Sequence, residues 1–237
     1  GEVITSCGEN RTSLALKEDG SLRLGYPKFV GDFVLGSVEG KIDGVNRERK
    51  EGEIILYTSA YGNVSGAKKD GLEFLIWKDQ VAYIQPGAPL RDGAMVISVS
   101  KERLAPFLSV KRNDPALLVT KITGDMAGAS WIQGGGPRLL EKGKVKITGK
   151  SEGISAATLT GKSPRTAFGV TKGGEYLLAT ASGSGCTLEE LANYMLSYGA
   201  EDALLFEGGA KSSMILNGNP LTAAAPKAVA ALLLVKR

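Results

Sequence analysis

Short apolar runs separated by glycines and polar residues recur along the chain, and this pattern predicts a strand-rich protein. Residues 14–24 (LALKEDGSLRL) contain two such runs around the turn residues 18–20, which predicts a hairpin. Residues 72–77 and 81–84 predict a second hairpin. Further strands are predicted at residues 54–57, 95–99, 116–122, 176–180, 203–206 and 228–235.

One segment has the pattern of an amphipathic helix. Thr187 and Glu190 have the spacing of a capping box, in which a hydroxyl and a carboxylate accept hydrogen bonds from amides at the helix start. Gly199 stands where such a helix is expected to end. A shorter helix is predicted from Ser100, and Pro106 limits its length. The apolar residues of the longer helix share one face: Leu188, Leu191, Ala192, Met195 and Tyr198.

These elements predict a strand-dominated α+β fold with a mixed sheet and few helices. The 32 glycines against 9 prolines fit a chain that turns often and approaches itself closely. No shift in composition marks a linker, so a single domain over residues 1–237 is predicted.

The charge pattern restricts the partners. The 29 basic and 25 acidic residues give a net charge of +4, and no basic run is interleaved with aromatic residues, so no nucleic-acid partner is predicted.

No apolar window of about 18 residues is present, so no transmembrane segment is predicted. The opening Gly1-Glu2-Val3 has no signal pattern and no initiator Met, which fits a chain that begins after a removed signal or another domain.

The sequence contains no histidine, which excludes Ser/His and Cys/His nucleophile pairs and histidine-containing metal sites. Acid–base chemistry must therefore fall to Asp, Glu, Lys, Tyr or Cys. Cys7 and Cys186 are too few for a four-cysteine zinc site, and they could form one disulfide or remain two thiols. No metal and no cofactor is predicted.

Two glycine-rich segments could carry chemistry. Gly134, Gly135 and Gly136 precede Pro137, and they form either a tight turn or a place where backbone amides meet an anion or a sugar. The segment is not a P-loop, because the required spacing and the Lys-Ser/Thr ending are missing. The second segment puts a carboxylate, two glycines, an amine and two hydroxyls at the end of an apolar strand, and a turn between strands is the alternative. Its residues are Glu207, Gly208, Gly209, Lys211, Ser212 and Ser213.

Two polar pairs offer a guanidinium for a phosphate or a carboxylate, although lone arginines are commonly surface residues. These pairs are Arg165-Thr166 and Asn46-Arg47. Arg11-Thr12 and Arg165-Thr166 each precede a strand, a glycine turn and a second strand. Chance or an internal duplication would explain this similarity equally well.

Six blocks in order resemble the phosphodiester glycosidase family, over roughly residues 40–237. The order is more specific than any single block. The blocks are Asn46-Arg47, IILYTSAYG (54–62), GGGPRLL (134–140), SPRTAFGV (163–170), TLEELANYMLSYGAEDALLF (187–206) and EGGAKSSM (207–214).

The resemblance implies a hydrolase whose carboxylate Glu207 acts as the acid or base. It also implies that Arg165 and Lys211 hold a phosphate, that Asn46 and Arg47 orient the sugar or the phosphate, and that the glycine segments form a cradle. Thr166 and Ser212 belong to the implied binding site. The predicted pocket therefore brings Arg165, Glu207, Gly135 and Gly208 together.

The chain departs from the family pattern at four places. An Asn-Gly-Gly-Phe-Phe block near the domain start is absent. Ala181-Ser182-Gly183 stands where Val-Asp-Gly is usual, and Glu207 and Lys211 stand where the signature has Asp and Ser. Residues 222–229 carry Lys227 as their one cation, where the family has a Pro-Ser segment with an arginine. A carboxylate is lost and another is lengthened by one methylene.

The resemblance implies cleavage of a sugar–phosphate phosphodiester on the glycosidic side, in glycans of a bacterial envelope or exopolysaccharide. The implied partner is a glycan or a sugar phosphate, and the implied location is extracellular or in the cell envelope. The alternative is an envelope module that binds a glycan or glycan phosphate without cleaving it. A third interpretation, an assembly domain, predicts no concave polar pocket.

Overall fold

The computed structural model describes residues 3–6, 11–66 and 70–222, apart from the side chain of Glu207. The described residues group into two compact units. Unit 1 comprises those of Gly1–Glu9 and Lys28–Thr123, and unit 2 those of Asn10–Pro27 and Gly124–Arg237.

Strands dominate both units, which confirms the predicted α+β, strand-dominated class. The helices are α1 (Ala156–Thr160) and α2 (Leu188–Ser197). The strands of the described residues are β1 (Ser13–Lys17), β2 (Leu22–Gly25), β3 (Lys28–Leu35), β4 (Val38–Lys41), β5 (Gly44–Val45), β6 (Ile54–Thr58), β7 (Gly71–Trp77), β8 (Gln80–Ile84), β9 (Met95–Ser100), β10 (Ala116–Thr123), β11 (Ala129–Gly134), β12 (Arg138–Glu141), β13 (Lys144–Val145), β14 (Ser163–Thr171), β15 (Tyr176–Cys186), β16 (Ala200–Gly208), β17 (Ile215–Leu216) and β18 (Asn219–Pro220).

Unit 1 contains a five-stranded sheet in the order β5-β6-β9-β7-β8 and a three-stranded sheet in the order β10-β3-β4. Residues of both sheets share one buried apolar cluster. In its centre the ring of Phe107 lies 5.7 Å from that of Phe33 and 5.5 Å from that of Phe74. The burial of this cluster is the main stabilising term for the unit.

The five-stranded sheet of unit 1 is buried on both faces. Leu56 and Ile97 belong to the cluster shared with the second sheet, whereas Ile55 and Val96 belong to a separate cluster on the opposite face. A strand with two buried faces is apolar at successive positions rather than at alternate ones. This explains the continuous apolar runs at residues 54–57 and 95–99.

Unit 2 has three layers around a five-stranded sheet in the order β13-β12-β16-β14-β15. Helix α2 packs on one face, where Leu191 and Met195 are buried against Ala203 and Leu205 of β16. On the other face, Leu204 of β16 packs with Leu14 of β1, which belongs to the three-stranded sheet β11-β1-β2. β16 is thus packed on both faces and paired on both edges.

The predicted elements are largely confirmed. α2 begins with the capping box, in which Thr187 Oγ1 accepts from the Glu190 amide and Glu190 accepts from the Thr187 amide. Both predicted hairpins form, as β1–β2 and β7–β8. The helix predicted from Ser100 is instead two 3-10 turns, Lys101–Arg103 and Ala105–Ser109, and the Ser100 side chain caps neither.

Two predictions from the sequence are not tested by the described residues. The strand predicted at residues 228–235 lies outside the described residues. The single domain over residues 1–237 stays a prediction, because it includes these residues and extends across both units.

Candidate functional site

The segment Gly134–Pro137 runs beside β16 in unit 2. The Gly136 amide donates to the Leu205 carbonyl at 2.8 Å, and the Leu205 amide donates to the Pro137 carbonyl at 2.9 Å. The Gly135 amide donates to the Thr12 carbonyl at 3.1 Å. The amides of Gly135 and Gly136 are therefore used by the sheet, and their predicted role as a phosphate cradle stays a prediction.

Close approach explains two of these three glycines. A Cβ on Gly135 would overlap Leu204 Cδ1 and lie 3.3 Å from Phe206 Cδ1. A Cβ on Gly136 would overlap a carboxylate oxygen of Glu152, and the φ of Gly136 is +96°. Gly134, in contrast, has no heavy atom within 4 Å of a Cβ position. Gly135 thus lets the segment lie against β16, and Gly136 leaves room for the Glu152 carboxylate.

The carboxylate of Glu152 is buried, with 6% of the residue exposed, and it ties this segment to the start of β1. It accepts from the Thr12 amide at 3.0 Å, from Thr12 Oγ1 at 2.5 Å and from the Arg138 amide at 3.2 Å. Thr148 Oγ1 is a further donor. Several donors to one buried carboxylate offset the cost of removing its charge from water.

Arg165 on β14 lies opposite Gly208 of β16 and Ala181 of β15. It is only 3% exposed, and its Nη2 donates to the carbonyls of Thr158 at 2.8 Å and Gly161 at 3.0 Å. Burial lowers the pKa of its guanidinium. These contacts connect Arg165 to the C-terminal part of α1 and to Gly161, the residue that follows α1.

The remaining edge of Arg165 faces the end of β16. A Cβ on Gly208 would lie 3.6 Å from Arg165 Nη1. Arg165 Nε is 3.5 Å from the Cys186 carbonyl, which is a long hydrogen bond. The predicted role of Arg165 as a phosphate anchor is not tested by these contacts, and Nη1 is the Arg165 atom nearest to the Cβ position of Gly208.

The second glycine segment follows directly. β16 ends at Gly208, and a 3-10 turn over Gly209–Lys211 packs against β14. Lys211 is exposed. Ser212 is 8% exposed, and its Oγ has no hydrogen-bond partner among the described residues. The side chain of Glu207 lies outside the described part of the structure, so its predicted catalytic role stays a prediction.

Asn46 and Arg47 belong to unit 1, and partners within that unit hold both side chains. Asn46 Nδ2 donates to Thr58 Oγ1 at 2.8 Å, and Asn46 Oδ1 accepts from the Thr58 amide at 2.8 Å. Arg47 binds Glu53 through both Nη atoms, at 2.7 and 3.0 Å. The hydrogen bond to Glu53 raises the pKa of Arg47. Their predicted contact with substrate stays a prediction.

The other residues around Arg165 are its neighbour Thr166 on β14 and residues of the paired strand β15. Thr166 of β14 is half-buried and lies opposite Thr180. Ser182, at the position of the family's usual aspartate, is exposed. Burial raises the pKa of the Cys186 thiol, which is free. Cys7 lies outside the described residues.

Three functional candidates were not singled out by the sequence. Glu152 and Thr12 form the buried network, and Arg11 lies beside it, with Nε donating to the Gly135 carbonyl at 3.3 Å. The repeated Arg-Thr pair was the one available signal for Arg11 and Thr12. Nothing in the polar stretch around Glu152 distinguishes it from a surface glutamate.

Two concavities, of about 280 and 390 Å³, lie in unit 1 and contain no predicted site residue. Both are lined by Phe33, Glu39 and Gly40. In the described stretches no three His, Cys, Asp or Glu side chains cluster to hold a metal ion. None of the helices found there is long and apolar enough to cross a membrane.

A known family model covers the five-stranded sheet of unit 2, including both glycine segments that meet β16, together with the part of unit 1 from residue 52 onwards. The model for phosphodiester glycosidase matches residues 52–236, which is most of the chain. The chain therefore belongs to the phosphodiester glycosidase family, a family of glycan-related hydrolases.

Solved structures share the fold at low sequence identity. A hypothetical protein from Synechocystis is 21% identical with a TM-score of 0.81, and the match covers 92% of this chain and 43% of that chain. A candidate exported protein from Burkholderia pseudomallei K96243 is 16% identical with a TM-score of 0.70, covering 92% and 55%. The chain thus spans about half the length of these two proteins.

A third structure is the catalytic domain of zebrafish N-acetylglucosamine-1-phosphodiester alpha-N-acetylglucosaminidase. It is 15% identical with a TM-score of 0.37, and the match covers 91% of this chain and 74% of that chain. None of the curated proteins that were compared matches the chain. The family assignment rests on the family model.

Proposed function

We propose that this protein hydrolyses a sugar–phosphate phosphodiester on the glycosidic side, in glycans of a bacterial envelope or exopolysaccharide. The observation that carries the proposal is the meeting of two glycine segments at the end of one strand. Gly136 is hydrogen-bonded to Leu205, and Gly208 lies opposite Arg165. Family membership supplies the reaction class, and an extracellular or envelope location goes with that substrate.

The reaction transfers the sugar from phosphate to water. The bond between the anomeric carbon and the phosphate oxygen breaks, the water oxygen bonds to the anomeric carbon, and a phosphate monoester leaves. Such a reaction needs a carboxylate to exchange protons and cations to hold the phosphate charge. Glu207, whose backbone belongs to the end of β16, is the residue proposed to supply the carboxylate, and Lys211 in the following turn and Arg165 Nη1 near Gly208 are the proposed cationic groups.

Ser212 adds a polar group of suitable type. A buried hydroxyl without a partner costs free energy, and such groups are commonly satisfied by water or a ligand. Ser212 Oγ is buried and without a partner within the described residues. A substrate hydroxyl or phosphate oxygen at the 3-10 turn Gly209–Lys211 would satisfy it.

The second candidate function is a module that binds a glycan or glycan phosphate without cleaving it. Ser182 stands where the family usually has an aspartate, and this favours the module because a carboxylate is missing one residue after Ala181, the partner of Arg165 on β15. Arg165 also donates hydrogen bonds to two backbone carbonyls, which favours a structural role for this residue over a role in catalysis.

An N-acetylglucosamine 1-(p-nitrophenyl phosphate) diester tests the proposal. Cleavage on the glycosidic side releases p-nitrophenyl phosphate, so colour appears only after a phosphatase is added. Cleavage on the other side releases p-nitrophenol directly. We expect colour that depends on the phosphatase. Direct colour would refute the glycosidic side, and binding by calorimetry without any product would favour the module.

Glu207→Gln tests the assigned carboxylate. The amide keeps the shape but cannot exchange the proton, so turnover is expected to fall at least about a hundredfold while binding persists. Glu51→Gln, at an exposed turn of unit 1, makes the same change elsewhere and is expected to leave turnover unchanged. Full activity of Glu207→Gln would overturn the catalytic assignment.

A further inference from the structure

A phosphodiester carries a negative charge that the site must bind. Arg165 has few hydrogen-bond donors left for this charge. Its Nη2 donates to two carbonyls and its Nε lies near a third. The amides of Gly135 and Gly136 are also hydrogen-bonded within the sheet. A further cation next to these glycines would complete the site.

Arg11 is such a cation. Its Nε donates to the Gly135 carbonyl at 3.3 Å, which places the guanidinium against the first glycine segment. Within the described residues it has no acidic partner, and no hydrogen bond is formed by its two Nη atoms. Arg11 is half-buried, so part of the residue remains open to solvent and to a ligand. A guanidinium held through Nε presents its Nη pair as a fork that matches two phosphate oxygens.

The neighbouring residue fixes the position of Arg11. Thr12 is fully buried and donates to Glu152 through its amide at 3.0 Å and its hydroxyl at 2.5 Å. The Thr12 carbonyl accepts from the Gly135 amide at 3.1 Å. The backbone at the start of β1 is therefore fixed to the glycine segment, so less conformational entropy is lost when Arg11 binds an anion.

The glycine segment connects Arg11 to the end of β16. A Cβ on Gly135 would lie 3.3 Å from Phe206 Cδ1, and Phe206 immediately precedes the predicted carboxylate. Arg11 and Arg165 thus flank the end of β16 from its two sides, one through the glycine segment and one through β14.

We propose that Arg11 is a phosphate-binding residue of this site and sets its preference for phosphorylated over neutral sugars. The proposal rests on the proposed function, because the phosphate is that of the phosphodiester substrate. Arg11 acts on binding: it holds the phosphate of the diester and of the leaving monoester.

Arg11→Gln tests the proposal, with Arg23→Gln as the matched control. Arg23 lies exposed on β2 of the same three-stranded sheet, so the net charge change is identical. The sugar diester serves as substrate, and the binding of p-nitrophenyl phosphate as the product and of free N-acetylglucosamine as the neutral ligand is measured by calorimetry without phosphatase. Arg11→Gln is expected to weaken binding of both phosphate compounds by about ten- to a hundredfold and binding of the free sugar less than about twofold. Arg11→Lys is expected to recover part of the loss, because it restores the charge without the fork.

Each outcome decides the proposal. If Arg11→Gln and Arg23→Gln weaken phosphate binding equally, the effect is explained by net charge alone, and the proposal is overturned. An equal loss of phosphate and free-sugar affinity would indicate a structural role and also overturn it. If the wild-type protein cleaves the diester and Arg11→Gln behaves like it, the role of Arg11 alone is refuted. If the wild-type protein neither binds nor cleaves the diester, the proposed function and the role of Arg11 are refuted together.

Discussion

Replacing each glycine of the Gly134–Gly136 segment by alanine tests whether close packing or turn formation requires the glycines. At Gly136 an alanine would be strained, because φ is +96°, and this costs about 1–2 kcal/mol for an L-residue. Its Cβ would also displace the Glu152 oxygen that binds the Thr12 amide. A buried amide left without a partner costs about 1–3 kcal/mol. Gly136→Ala is therefore expected to lower the free energy of unfolding by about 2–5 kcal/mol.

Gly134→Ala is the matched control within the same segment. No heavy atom lies within 4 Å of its Cβ position, and its φ is not in the left-handed range. The free energy of unfolding is expected to change by less than about 1 kcal/mol, since alanine also restricts the unfolded chain. Gly135→Ala is expected to fall between the two, because Leu204 Cδ1 can move but the Leu205 carbonyl, 3.0 Å from the Cβ position, cannot move as easily.

Urea unfolding followed by tryptophan fluorescence measures these differences. The chain has two tryptophans, Trp77 in unit 1 and Trp131 in unit 2, so a Trp77→Phe background makes the signal report on unit 2. Circular dichroism on the same samples checks that the transition is two-state. Equal losses of stability for Gly134→Ala and Gly136→Ala would refute the packing argument and the role of Glu152 in it.

Three further predictions concern local stability and pH. Thr187→Ala is expected to cost about 0.5–2 kcal/mol in urea unfolding, because it removes the acceptor of the helix cap, and an unchanged midpoint would show the cap to be unimportant. The hydrogen bond to Arg47 lowers the pKa of Glu53, so this pair stabilises the fold above the usual pKa of a glutamate and the stability is lost as pH falls through the lowered value. Glu53→Gln is expected to reduce stability at pH 7 by up to about 1 kcal/mol and to reduce it less as the pH falls through the lowered pKa of Glu53, and a loss independent of pH would contradict this. Burial raises the pKa of Tyr57 from 10.0 to about 12, so stability is expected to decline as pH rises between these values, and ultraviolet titration of Tyr57→Phe is expected to lack one late-ionising tyrosine.

The elements that could be predicted from the sequence are those that neighbouring residues determine. The cap of α2 depends on residues three positions apart, and the β7–β8 hairpin on two adjacent apolar runs. β3 and β4 were not predicted, because glycines interrupt their apolar pattern. Those glycines have a packing role: a Cβ on Gly31 would lie 2.7 Å from Phe29 Cζ, and one on Gly40 would lie 2.7 Å from Phe33 Cζ.

The candidate site was only partly predictable for a related reason. The positions of Arg165 and Gly208 follow from family order, and the register of β14 and β16 places them side by side. The buried network joins Thr12 to Glu152, which are 140 residues apart in the sequence. Without a known fold, no local pattern distinguishes such a glutamate from one in solvent. The burial of Arg165 could not be predicted either, since it depends on carbonyls at the end of α1.

The position of β16 at the centre of unit 2 affects the thermodynamics of ligand binding. The amides of a strand paired on both edges and covered on both faces are expected to exchange with deuterium only when the whole unit opens. A ligand at the end of such a strand meets a support that is already rigid. Any loss of chain entropy on binding would then be confined to the turn Gly209–Lys211 and its flanking residues, at roughly 1–2 kcal/mol for each residue that becomes ordered. Affinity would accordingly be adjusted by substitutions in that short turn, without loosening the sheet beneath it.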